Sequence, residues 1–188
     1  MNRNYVLAGV GGQGILFITR ILHDAVLKEG HHVLVSETHG MAQRGGSVVS
    51  HVRVGSMQSP LVRAGTADGL LVFEADELPN TVSFLKPGGA AVVNGPDSAR
   101  MPFQLSEYLK QLPAELHVLD ASRIALETGA PLTANMILLG FSIERLAFPF
   151  SYEAVEDTVR NLSREPYREQ NLKALASGYE AGSLGEKR

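Results

Sequence analysis

The sequence predicts an α/β protein: a Rossmann-like layered fold with a mostly parallel central sheet flanked by helices. Three observations predict it. Short apolar runs able to form buried strands alternate with helical stretches along the 188 residues. The first such run, Val6 to Val10, enters a glycine turn, Gly9, Gly11, Gly12 and Gly14, that opens onto a helix. That strand, its helix and the next strand fit within about thirty residues, the length of one βαβ unit with a right-handed crossover.

The first helix follows from Ile15, Leu16, Ile18, Ile21, Leu22, Ala25 and Val26, which recur at helical spacing and stop at Lys28-Glu29-Gly30. His32 to Glu37 reads as the second strand. Thr38 to Gly46 is polar and glycine-punctuated, hence a loop. Ser47 to Val54 alternates with period two and reads as the third strand, and Gly55 to Gly65 as a turn with a short extended piece. Gly69 to Phe73 is a buried strand, followed by a helix to Leu85 that Lys86-Pro87-Gly88-Gly89 stops. Ala90 to Asn94 is the next strand. Gln104 to Leu112 reads as a helix, His117 to Ala121 as the last strand, and Ser122 to Glu127 as a short helix. Thr133 is an N-cap for an apolar helix running to about Ala147, which belongs inside the fold or against a partner. Ser151 caps the helix of Tyr152, Val155, Val159 and Leu162. Pro166 opens the last helix, which ends in a tail over 183–188 after a single domain over 1–182.

Composition narrows the chemistry. The net charge of −3 gives no general pull towards nucleic acid or an anionic membrane surface. No apolar run reaches the roughly 18 residues of a membrane span, and glycines break up the first apolar run, so a cytoplasmic location is expected. The chain has no cysteine. A disulfide, a thiolate nucleophile and a cysteine-held iron–sulfur cluster are therefore excluded within it. It also lacks the G-x-S-x-G elbow, the phosphate-binding G-x-x-x-x-G-K-[ST] loop and the Gly-Asp-Gly signature of thiamine diphosphate sites.

In an open α/β sheet, sites form beyond the C-terminal strand ends. Four stretches fall there: the glycine turn, the Glu37 to Gly46 loop, Glu74 to Glu77, and Asn94-Gly95-Pro96. Gly9, Gly11 and Gly14 fit the spacing of a dinucleotide fingerprint, with Glu37 where a ribose-binding acid falls; equally, they make a tight turn that packs a helix on a sheet. Gln13 puts an amide where a small residue is common, so it is placed to face a partner or substrate. Glu37, His39, Gly40, Met41, Gln43, Arg44, Gly45 and Gly46 gather a carboxylate, an imidazole, an amide and a guanidinium among glycines. Arg44 there suits a carboxylate or phosphate fork, or a contact with another subunit. His51 reads as a structural histidine, Asp76 and Glu77 as helix-start carboxylates, and Asn135 as a hydrogen-bond hub in an apolar helix that also suits a ligand contact. No histidine spacing suggests a metal. On these residues alone, a stand-alone NAD(P)-binding protein and one half of a larger enzyme both stay open.

Five ordered blocks go further: GVGGQG at 9–14, SETHGMAQRGGSVVSHVR at 36–53, SPLV at 59–62, GTADGLLVFEADE at 65–77 and NMILLG at 135–140. Together they resemble the gamma-type domain of 2-oxoacid:ferredoxin oxidoreductases. The ETHGMAQRGG and SHVR blocks are similar to the indolepyruvate branch. The resemblance implies oxidative decarboxylation of a 2-oxoacid on thiamine diphosphate with magnesium, electron flow through iron–sulfur clusters to ferredoxin, and release of an acyl-coenzyme A. It implies that a large alpha subunit carries these cofactors and that this chain binds none and is inactive alone, though able to self-associate. It also implies that Gly9, Gly11, Gly12, Gln13, Gly14, the 37–46 loop and Asn135 face coenzyme A, the substrate or the partner, with Arg44 as the anion contact.

Overall fold

A computed structural model describes residues 1–39, 45–96 and 103–184. In chain order the elements are β1 (Arg3–Val10), α1 (Ile15–Lys28), β2 (Val33–His39), β3 (Ser47–Val54), β4 (Ala67–Val72), α2 (Leu78–Thr81) and β5 (Leu85–Asn94). Then come α3 (Phe103–Gln111), β6 (Glu115–Leu119), α4 (Ala121–Glu127), α5 (Ala134–Arg145), α6 (Tyr152–Leu162) and α7 (Glu165–Leu184). The helix α7 thus includes Ser183 and Leu184 of the expected tail.

The six strands form one sheet in the order β2-β3-β1-β4-β5-β6. β1, β4, β5 and β6 run parallel to one another, while β3 is antiparallel to both β1 and β2. The sheet is therefore mixed but mostly parallel. One expectation changes. β1 and β2 are joined by the expected crossover helix, yet they are not neighbours. β2 and β3 form a hairpin, because sequential strands joined by a short loop pair with each other, and β3 enters the sheet between β2 and β1.

Strand alternation produces two cores. Tyr5, Leu7, Val52, Leu71 and Val92 face α1, α4, α5, α6 and α7. Val6, Leu70, Val72, Ala91 and Val93 face Val62, α2 and α3 on the other side. The apolar helix α5 is buried in the fold, from Met136 to Ile143. The buried polar side chains Thr19, Ser50 and His51 are paired, as burial favours. Thr19 Oγ1 of α1 donates to Ser50 Oγ of β3 at 2.9 Å. His51 accepts the Val62 N–H on Nδ1 at 3.3 Å and meets the Phe84 ring edge-on, so it is structural, with burial lowering its proton affinity.

The segment after β4 is not the single helix expected. It is a 3-10 turn at Ala75–Glu77, the one-turn α2, and a second 3-10 turn at Val82–Phe84. Pro79 in the first turn of α2 lacks an N–H to extend a helical ladder backwards. Asp76 and Glu77 do fall in the first turn of the short 3-10 helix, as helix-start carboxylates, and Glu77 has further partners. It is buried and accepts from Ser47 Oγ (2.8 Å) and Asn80 Nδ2 (3.3 Å). β5 begins at Leu85 and carries Lys86 to Gly89 as a bulge, since Ala67 pairs with Leu85 but Gly69 with Ala90.

That bulge delivers Lys86 to Asp68, at the end of the sheet away from the glycine turn. Asp68 accepts from Lys86 Nζ (2.6 Å), Arg3 Nη1 (2.9 Å) and the Asn4 N–H (2.8 Å). Burial works against its charge, but the bonds from Lys86, Asn4 and Arg3 outweigh it and hold the carboxyl below its ordinary value. A depressed carboxyl stabilises the fold above its unfolded value and loses that contribution as pH falls through the folded one. Asp68→Asn is expected to cost about 1 kcal/mol at neutral pH, kept small because Arg3 and Lys86 also reach water. Urea melts of the two proteins should differ at pH 7, and the gap should begin to close below about pH 3.9, the unfolded aspartate value, and close fully only below the lower folded one. A gap unchanged at acid pH would refute the assignment.

Candidate functional site at the glycine turn

The C-terminal ends of β1, β4 and β5 meet the start of α1 and the first turn of α5. The turn between β1 and α1 has Gly12 at φ 104° and Gly14 at φ 77°, a region that disfavours any side chain at these points. Gly14 is also pressed against the Asn135 amide, which a Cβ would strike. Asn135 Nδ2 donates to the Gln13 carbonyl at 3.1 Å, so α5 is pinned to the turn across 122 residues of sequence.

Gln13 folds back over its own turn. Its Oε1 accepts the Val10 N–H at 2.9 Å, and its Nε2 donates to Glu74 Oε2 at 2.9 Å and to the Phe73 carbonyl at 3.4 Å. Gly9 has no side chain because Gln13, Ile15 and Phe73 fill that space. Asn94 completes the rim. Its Nδ2 donates to the same Phe73 carbonyl (3.1 Å) and to Ser122 Oγ (2.9 Å), and its Oδ1 accepts the Ser122 N–H (3.3 Å). Two amides converging on one carbonyl lock the ends of β1, β4 and β5 to α4.

This geometry argues against a dinucleotide cradle. Such a cradle needs a pyrophosphate to come close at the fingerprint glycines Gly9, Gly11 and Gly14. Here the Gly11 N–H donates to the Gly46 carbonyl at 2.9 Å and the Gln13 N–H to the Val10 carbonyl at 3.2 Å. The close approaches that Gly9, Gly11 and Gly14 permit are made by the chain's own Gln13, Gly45–Gly46 backbone and Asn135. Glu37 is exposed on β2 and pairs across β3 through Ser50 to Leu7, one strand further from β1 than a ribose-binding acid requires. The NAD(P)-binding alternative is not favoured.

The remaining site residues divide as follows. Gly45 and Gly46 lie against Gly11, so the glycine turn and the end of the 37–46 loop share one rim. His39 shares a cross-sheet row with Val48 and Gly9, about 10 Å from Gly9 at ordinary strand spacing. Gly40, Met41, Gln43 and Arg44 lie outside the described residues. Gln13, expected to face outward, has its amide committed to Val10, Phe73 and Glu74. Sequence reasoning missed Glu74 as the partner of Gln13 and Asn94 and Ser122 as the closing clamp; their position at strand ends was the only signal. Beside the turn lies a cleft of about 400 Å³ lined by Gly12, Gly14, Asn94, Ser122, Leu132 and Asn135 among others. Its lining is neutral and amide-rich, suited to holding a polar group or polypeptide. Among the described residues no three His, Asp or Glu side chains gather as metal ligands, and with no cysteine in the sequence the chain has no thiolates for a cluster. No helix of the described residues is long and apolar enough to cross a membrane.

Comparison with known proteins gives a consistent picture. The family model described as pyruvate ferredoxin/flavodoxin oxidoreductase matches residues 4–181. Indolepyruvate oxidoreductase subunit IorB of Archaeoglobus fulgidus is 35% identical, with 98% of each chain covered. The pyruvate/ketoisovalerate oxidoreductases common subunit gamma of Thermococcus litoralis is 29% identical, with 92% of each chain covered. The crystal structure of a keto/oxoacid ferredoxin oxidoreductase gamma subunit from Geobacter sulfurreducens PCA superposes with a TM-score of 0.75 at 23% identity, covering 97% of this chain and 99% of that one, and so shares the fold. Matched over nearly its whole length, this chain belongs to the pyruvate ferredoxin/flavodoxin oxidoreductase family.

Proposed function

We propose that this chain is the cofactor-free small subunit of an indolepyruvate:ferredoxin oxidoreductase and works in the cytoplasm. The observation that carries this reading is the full-length likeness to an indolepyruvate subunit, 35% identical against 29% for a pyruvate/ketoisovalerate subunit. In this reading the complex oxidatively decarboxylates an aryl 2-oxoacid to its acyl-coenzyme A and passes the electrons to ferredoxin. Thiamine diphosphate, magnesium and the iron–sulfur clusters belong to a large alpha subunit. The absence of cysteine supports that division, because cluster ligation needs thiolates. This chain contributes the rim built from Gly9 to Gly14, Gly45, Gly46 and Asn135, facing the large subunit and the coenzyme A or oxoacid it holds. Glu37, His39, Gly40, Met41, Gln43 and Arg44 extend that surface, with Arg44 as the anion contact.

The test is reconstitution with the large subunit encoded in the same genome. Ferredoxin reduction with coenzyme A is followed using indolepyruvate, pyruvate and 2-oxoglutarate. The expected result is turnover by the complex alone, with indolepyruvate giving the highest kcat/KM. Turnover by the isolated chain, or a preference for pyruvate, would overturn the reading.

A further inference from the structure

Three hollows of the described surface run into one another. The cleft beside the glycine turn shares Leu132 and Asn135 with a groove of about 440 Å³ between α1, α5 and the α6–α7 junction. That groove in turn shares Thr133 and Gln170 with a hollow of about 340 Å³ between the α4–α5 turn and α7. Where the cleft and the groove join stands Leu132, on the Pro131–Thr133 turn, with 83% of its surface exposed. Tyr167, 52% exposed, stands at the start of α7 over the apolar floor of Phe17, Met136 and Leu162.

The charges on this surface have one sign. Among the described residues, Arg20, Arg164 and Lys173 line the hollows and no aspartate or glutamate does, although acidic residues outnumber basic ones 20 to 17 in the chain. Arg20 and Lys173 are themselves exposed and have partners one helical turn away, the half-buried Asp24 at 4.0 Å and the exposed Glu169 at 2.7 Å, pairs that water screens. A compact ligand would fill one hollow and leave Leu132 in water. An exposed tyrosine flanked by arginines is instead the combination enriched at protein interfaces, where the charges set orientation and encounter rate, and the exposed leucine adds apolar surface that only a partner would cover.

The geometry points to this surface as the seat of an acidic, apolar-tipped segment of the large subunit, packed along the α1/α6–α7 groove with Leu132 inserted beside it. This rests on the function proposed above and assigns the contact within that complex. The test measures the dissociation constant of the full chain for the large subunit, with thermal melts to check folding. Leu132→Asp and the pair Arg20→Glu/Arg164→Glu are compared with Lys110→Glu on α3, across the sheet. The expected result is at least tenfold weaker binding for the first two, no change for the third, and a salt dependence of the wild type that the double variant loses. Undiminished binding by both variants would overturn this contact while leaving the proposed function standing. So would an effect confined to self-association of the chain. Failure of the wild type to bind the large subunit would overturn both.

Discussion

Gly178→Ala is expected to destabilise the protein by about 2 kcal/mol and to lower its thermal midpoint by roughly 4–8 °C. The helices α5 and α7 cross with backbone on backbone. A Cβ on Gly178 would lie 2.7 Å from the Ile137 carbonyl carbon and closer still to its oxygen. Both atoms belong to the helical ladder of α5, so no side chain can swing aside. The helices must part, and α5 cannot retreat, because its residues from Met136 to Ile143 are buried on every side. Overpacking of this kind costs typically 1–3 kcal/mol, here at its upper end. Alanine returns up to about 1 kcal/mol through helix propensity. The same crossing holds Gly140, whose Cβ would meet the Tyr179 nitrogen at 2.8 Å, and Gly182, whose nearest neighbour, the Phe141 carbonyl oxygen, is 3.1 Å away. The melts should therefore rank Gly178→Ala and Gly140→Ala well below wild type and Gly182→Ala only slightly below it. The double variant Gly140→Ala/Gly178→Ala should cost less than the sum, because one separation of the helices relieves both clashes. A wild-type midpoint for Gly178→Ala would show that the crossing is looser than described.

How much of this was legible in the sequence depends on the range of the interaction. Ser47 to Val54 reads as a strand with the observed bounds, because period-two alternation is a local property. Ser151 reads as a cap, and its Oγ accepts the Ala154 N–H at 3.2 Å, a contact three residues long. Thr133 occupies the same kind of position, yet its Oγ1 donates to the Ala130 carbonyl instead, and α5 starts without a side-chain cap. A short-range competitor took the hydroxyl, which composition alone does not rank. The place of β3 between β2 and β1 was not legible at all, since periodicity reports that a strand exists and not which strands it joins. The site shows the same division. The glycine turn and Asn135 stand out as residue types in unusual surroundings. That Asn135 grips the Gln13 carbonyl, or that Ser47 caps the Glu77 carboxylate, depends on pairings 122 and 30 residues apart. The dinucleotide spacing misled for the same reason. Its glycines accept the chain's own Gln13 and Asn135 where the fingerprint would have them accept a pyrophosphate.

Gln13→Leu is expected to cost about 2 kcal/mol, because it keeps the volume of the side chain and deletes every side-chain hydrogen bond that Gln13 makes across the turn. The Val10 N–H loses its acceptor, and Glu74 and the Phe73 carbonyl lose their donor, at a half-buried place where an unmade bond costs about 1–3 kcal/mol. Gln13→Glu separates the contributions. A carboxylate there still accepts the Val10 N–H, but it cannot donate and it faces the Glu74 carboxylate across what is now a 2.9 Å contact. Like charges at that range favour protonation of the introduced carboxyl in the folded state, so its stabilising form is present at acid pH and is lost as pH rises. The stability deficit of Gln13→Glu should therefore shrink as pH is lowered towards about 4, the ordinary carboxyl range. That of Gln13→Leu, which has no proton to gain, should stay constant. Because the Gln13 carbonyl is the acceptor for Asn135, a loosened turn should also release the first turn of α5. Amide exchange over 137–140, the first α5 amides with intrahelical acceptors, is expected to speed up in both variants while α3, on the far face of the sheet, keeps its protection. Equal exchange in wild type and variants would mean that Gln13 ornaments the turn and does not hold it.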